Sequence, residues 1–219
     1  MDEERLHESR FLHGLTGGNR LVLRGCKRSD GELFSYYSSL IPGGATFHTP
    51  LPQVLEEARA LFSFEGPARH NLVISHKKRI KLNRELNIFF HKPGAALFIK
   101  AKASPGQLCA AQPMWIWPGL EVLGCTQASK KVRNNVLYTV TSCSSDRIEI
   151  QKDEEKITLS PEHFGQWCRL SYARTYASIQ GTEFEESLRL HDTGHPRFSR
   201  KHLFVALSRG KLKELIDVS

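Results

Sequence analysis

Along this chain the spacing of apolar residues changes twice, and those changes decide what it can fold into. From about residue 20 to residue 90, strand-like runs alternate with helical ones. Residues 20–24 read as a strand. Residues 29–40 read as a helix capped by Ser29, with Glu32 three positions on as a capping box. Residues 51–62 carry Val54, Leu55, Ala58, Leu61 and Phe62 at helical spacing. Residues 71–75 have the pattern of a buried strand. Residues 77–89 form a basic helix with Ile80, Asn83, Leu86 and Phe90 on one stripe. Such alternation predicts a parallel sheet flanked by helices.

The middle of the chain obeys a different period. Short strand patterns occur at 96–101, 120–125, 136–142, 147–151 and 156–159. Turn chemistry separates them, at Pro118-Gly119, Asn134-Asn135, Ser144 to Asp146 and Lys152 to Glu154. This predicts a small β-barrel or sheet. After 165 the α/β character returns. Strands are expected at 169–173 and 187–191, a helix from Ser199 to Ser208, and a last strand or short helix over 212–218. A short amphipathic helix is expected over 3–13. The expected organisation is an α/β lobe in two parts, 1–92 and 166–219, split by a β-rich insertion over 93–165.

A chain of 219 residues, 40% hydrophobic and 25% charged, can bury a core without staples. Its formal charge of +8 favours polyanionic partners, nucleic acid foremost, although charge alone also fits a merely well-dispersed protein. Five cysteines, an odd number with no two closer than sixteen residues, exclude a C-x-x-C knuckle and argue against a disulfide framework. They read as reduced thiols of an intracellular protein, in cytoplasm or nucleus. No apolar run reaches the length of a membrane span. The acidic start Met1-Asp2-Glu3-Glu4 is not a secretory leader.

Two segments near the end carry the functional signal. The first is Tyr172-Ala-Arg-Thr-Tyr-Ala-Ser-Ile-Gln-Gly-Thr-Glu-Phe184. The second is Leu203-Phe-Val-Ala-Leu-Ser-Arg209. In this order, with a strand pattern between them, they resemble motifs V and VI of superfamily 1 helicases. Lys27-Arg28-Ser29-Asp30 before a helix resembles motif IV. Leu72 to His76, followed by Leu82 to Asn87, resembles a strand, polar corner and helix of RecD-like members. The β-rich stretch from Pro118 through Val140 resembles the small barrel that such helicases carry before motif V.

The resemblance implies an α/β fold, the second RecA-like (P-loop NTPase-type) lobe of an ATP-dependent motor of the RecD-like or UvrD-like C-terminal kind. An arginine brought to a γ-phosphate from the opposing lobe stabilises transition-state charge, an effect of about 10³–10⁵ in rate. By resemblance Arg209 is that arginine finger and Arg28 a second phosphate contact. Gln180, Gly181 and Glu183 would line the nucleotide cleft. Thr175, Ser178, Ser75, His76 and Lys77 would face single-stranded DNA or RNA. For Ser75 and His76, a helix N-cap and a surface imidazole read equally well.

The sequence departs from the family in two places. The His-Lys of motif V is Ala177-Ser178 here, which puts coupling between nucleic acid and ATP in doubt. No G-x-x-x-x-G-K-[ST] loop occurs in these 219 residues. ATP and Mg²⁺ would therefore be held mainly by an N-terminal lobe, in cis or in trans, and this half would not turn over ATP by itself. The alternative is a non-catalytic nucleic-acid-binding module derived from such a lobe. A third reading is a structural or interaction domain without nucleic-acid affinity.

Other signals point to structure. His191 and His195 lie four apart, but Gly194 and Pro196 predict a turn, so no metal site is expected there. Trp115 and Trp117 alternate as strand residues do and are expected to pack in the insertion before they stack bases. Lys77, Lys78, Arg79 and Lys81, like Lys130, Lys131 and Arg133, read as solvated basic faces or phosphate contacts.

Overall fold

The computed structural model describes Gly14, Gly17 and residues 28–94, 96–101, 112–126, 129 and 131–219. The expected helix over 3–13, the strand over 20–24 and Lys130 lie outside the described residues.

The lobe is built on a parallel sheet. Its strands are β1 (His70–Val73), β9 (Ala173–Thr175), β10 (Leu188–Leu190) and β11 (Ile216–Val218), in the order β11-β10-β1-β9. Every adjacent pair is parallel. Three helices share one core with this sheet: α1 (Gly31–Ser39), α2 (Leu51–Leu61) and α5 (Arg200–Leu207). Leu33, Tyr37, Val54, Leu55, Ala58, Leu203, Ala206 and Leu207 from the helices meet Leu72, Leu188, Leu190, Ile216 and Val218 from the strands. Apolar positions three and four apart put one helix stripe inward, while β10 (Leu-Arg-Leu) and β11 (Ile-Asp-Val) alternate buried apolar with half-buried charged residues. This is the parallel sheet with helices that the α/β alternation predicts, and it fits the RecA-like lobe that the motif resemblance implies.

The insertion occupies the crossover between two neighbouring parallel strands. After β1 comes α3 (His76–Phe89). Then follow β2 (Leu97–Ile99), β3 (Met114–Ile116), β4 (Glu121–Gly124), β5 (Leu137–Cys143), β6 (Ile148–Lys152), β7 (Glu155–Leu159), α4 (Pro161–Trp167) and β8 (Cys168–Leu170), before β9. A parallel crossover needs only a dozen or so residues. Strands β4–β8 form an antiparallel sheet in the order β7-β6-β5-β4-β8, and β2 pairs with β3. Among the described residues no pairing joins β7 to β8, and the described strands form an open sheet. Its inner face carries Val122, Tyr138, Val140, Ile148, Ile150, Ile157 and Leu159, packed with Ile116, Phe164 and Leu170.

Several local expectations are corrected. The cap of α1 is Asp30, whose carboxylate accepts the Leu33 N–H; the Ser29 hydroxyl donates to the Gly210 carbonyl instead. Ile80 is 40% exposed, and the buried stripe of α3 is Arg79, Asn83 and Asn87. That stripe is polar because α3 lies against backbone rather than against side chains. Asn83 bonds the Ala173 peptide and Asn87 the Trp115 peptide, each through both amide atoms. Helix α4, capped by Ser160 with Pro161 in its first turn, is too short at seven residues to show a period.

Candidate functional site

Four parallel strands give the sheet two unlike ends, and the residues singled out from sequence divide between them. At the carboxyl ends lie Thr175, which closes β9, and Ser75, His76 and Lys77, which follow β1. Ser75 is the N-cap of α3 and accepts the Lys78 N–H. Thr175 is buried, while Ser75, His76 and Lys77 are exposed. Partial burial, then Arg79 and Arg169, holds the His76 imidazole below its usual value and so neutral. Open α/β sheets place ligand contacts at this end.

From Thr175 the chain turns through a 3₁₀ segment, Tyr176–Ser178, and runs back to the amino end of β10. Gln180 and Gly181 form an exposed turn in which Gly181 has φ +77°. A side chain there would meet no atom, so glycine serves the backbone conformation. At Phe184 this segment joins the one that resembles motif VI. The Phe184 N–H donates to the Arg209 carbonyl at 2.8 Å, and Phe184 pairs with Gly210 as an isolated parallel bridge.

The segment that resembles motif IV meets the same junction. Arg28 Nε lies 2.7 Å from Glu183 Oε1. The Ser29 hydroxyl donates to Gly210 at 2.9 Å, and the Asp30 N–H donates to Lys211 at 2.8 Å. Asp30 also accepts the Lys213 N–H. Three stretches far apart in sequence thus lie against one another, with the Arg28–Glu183 pair next to the backbone junction of Phe184 with Arg209. Arg209 follows the last turn of α5, and its Nε is shielded from solvent with no partner among the described residues. Arg28 and Glu183 are each close to half exposed, so their ion pair is weak and exchangeable.

Two residues overlooked in the sequence connect the lobe to the insertion. Asn135 holds φ +61°, as the turn requires, and its Nδ2 donates to the Ser178 carbonyl at 2.9 Å. Arg174 donates to that same carbonyl at 2.6 Å and to Asn135 Oδ1 at 3.1 Å. Burial, then Arg169, pushes the Arg174 guanidinium down to about 10. The only sequence sign of this contact was a side chain tolerant of positive φ at a turn.

The remaining signals are structural. His191 Nε2 lies 2.9 Å from Asn71 Oδ1, and Asp192 takes the Ile74 N–H and Lys78, so His191 and His195 share no ion site. Trp117 is buried. Trp115 is half-buried, with its ring against His91 and Phe98. Among the described residues no helix is long and apolar enough to cross a membrane.

No protein-family model and no curated protein matches the sequence. Solved structures do. A Bacteroides Pif1 bound to ssDNA matches with TM-score 0.57 and 18% identity, over 87% of this chain and 49% of that one. The Bacteroides Pif1 helicase in complex with ADP-AlF3 and ssDNA gives 0.57 and 17%, over 91% and 51%. Pif1 helicase from Candida albicans gives 0.51 and 11%, over 86% and 53%. The chain spans about half the length of the helicases it resembles, and its fold is the one found in that half.

Proposed function

We propose that this chain is the second motor lobe of an ATP-dependent DNA helicase. One observation carries the reading: Arg28, Glu183 and Arg209, singled out separately from sequence, lie at a single junction pinned by the Phe184 to Arg209 hydrogen bond. Arg209 and Arg28 would contact the γ-phosphate of ATP. Gln180, Gly181 and Glu183 would line the cleft. ATP with Mg²⁺ would be held chiefly by a separate P-loop lobe and would supply the phosphoryl group. On nucleotide entry Arg28 would exchange Glu183 for phosphate, at small cost because the pair is exposed.

A single strand would run along the opposite end of the sheet, past Ser75, His76, Lys77, Thr175 and Ser178. The named structural relatives are a DNA helicase bound to ssDNA and to a nucleotide analogue. The net charge of +8 suits the same ligand, and binding should weaken as salt rises because phosphate contacts release counterions.

The test is reconstitution with a P-loop helicase lobe. DNA-stimulated ATP hydrolysis should appear with the wild-type chain and fall about 10³-fold in Arg209→Ala. Strand binding without hydrolysis under every pairing would instead favour the non-catalytic module.

A further inference from the structure

In a chain of charge +8 one cavity is acidic. It has a volume of about 290 Å³ and lies between lobe and insertion, at the amino ends of the parallel strands. Glu121, Glu183, Glu185 and Glu186 line it together with His70 and Arg174. Glu183 is engaged by Arg28 and Glu185 by Lys211. The other two carboxylates have no such close cation. Arg69 stands 3.4 Å from Glu186 and 3.8 Å from Glu121, and its guanidinium lies over the rings of Phe90 and Tyr172.

We propose that His70, Glu121 and Glu186 form a binding site for a divalent transition-metal ion of the zinc class. Their donor atoms all lie within 4.8 Å of one another, and His70 Nε2 is 3.6 Å from Glu186 Oε2. Tetrahedral ligands about 2.0–2.2 Å from zinc sit about 3.4 Å apart. The histidine pair is nearly there, and a side-chain rotation closes the gap to Glu121. An imidazole with two carboxylates is a donor set that zinc accepts and magnesium does not favour.

The surroundings support an ion. The His70 ring packs on Phe184 at 4.9 Å, which fixes its orientation. The Tyr172 hydroxyl is buried with no hydrogen-bond partner among the described residues. Arg69 can retreat fully onto Phe90 and Tyr172 as the ion enters. The ion would join the start of β1, the start of β4 in the insertion and the segment entering β10. It would thereby fix the insertion on the lobe, whatever nucleotide the lobe serves.

Titration calorimetry of the full chain with Zn²⁺ decides the matter. One zinc ion per chain is expected, with a Tm rise of about 5–10 °C at free zinc about 100 times the Kd. Mg²⁺ should do neither. His70→Ala and Glu121→Gln should each weaken zinc binding by at least about tenfold, while His195→Ala should not. If the first two fail to fold, Glu186→Gln, altered at an exposed carboxylate, gives the decisive measurement. Absence of zinc binding, or equal zinc affinity in wild type and Glu186→Gln, overturns the site.

Discussion

Asn83 holds the Ala173 peptide from both sides: its Nδ2 donates to the carbonyl at 3.0 Å, and its Oδ1 accepts the N–H at 2.9 Å. Among the described residues β9 is an edge strand, paired with β1 in a register that sets Asn71 opposite Ala173 and takes the Tyr172 carbonyl for the Asn71 N–H. The Ala173 peptide groups therefore point outward, where a strand edge would otherwise be open. One carboxamide supplies both the donor and the acceptor that a further strand would have supplied.

Asn83→Leu should therefore cost about 2–4 kcal/mol, since it strands a buried N–H and a buried C=O together. Urea denaturation measures the loss. A cost below about 1 kcal/mol would mean that water enters and replaces the side chain.

Gly124→Ala should also destabilise, for a steric reason. A Cβ there would fall 2.2 Å from the Arg133 carbonyl oxygen, and backbone gives way less readily than a side-chain tip. The expected loss is about 1–3 kcal/mol. The neighbouring hydrogen bond from Asn135 N to Gly124 O should then loosen, seen as faster amide exchange at Asn135.

Asn135→Gly separates two roles in one residue. Glycine keeps the left-handed turn, so stability should change little. The links to Arg174 and Ser178 are lost. In the reconstituted motor, ATP hydrolysis without DNA should persist while its stimulation by DNA drops several-fold. Asn135→Ala should add a loss of about 1–2 kcal/mol in stability from positive φ.

His191 makes stability depend on pH. Asn71 Nδ2 donates to the Ala68 and Tyr172 carbonyls, so Asn71 Oδ1 is left as acceptor and His191 Nε2 carries the proton. Burial, then Lys78 and Arg189, lowers this imidazole to about 4. The unfolded chain, with an ordinary imidazole near 6.5, binds the extra proton first as acid is added. The stabilisation is thus complete above about pH 6.5 and is lost as pH falls toward 4. His70, also lowered to about 4, acts in the same direction. Urea midpoints between pH 7 and 5 should fall less steeply in His191→Gln than in wild type.

The sequence alone determined the alternation of helical and strand-like segments on either side of a β-rich middle, because period 3.6 and period 2 are local properties that core burial enforces; the one strand expected over 169–173 is two, β8 and β9, in different sheets. It also singled out Arg28, Gly181, Glu183 and Arg209, in three separate segments. It missed α4, which is too short to show a period, and misjudged the inner stripe of α3, because a helix that packs on backbone wants amides where apolar residues were expected. Tertiary structure alone decided which segments meet. The Phe184 bond to Arg209, the Arg28 pair with Glu183 and the Asn135 contact with Ser178 join positions that lie 25, 155 and 43 residues apart. Such contacts depend on strand order and register. Four short parallel strands can be ordered in many ways that bury the same side chains, and only the folded sheet selects one.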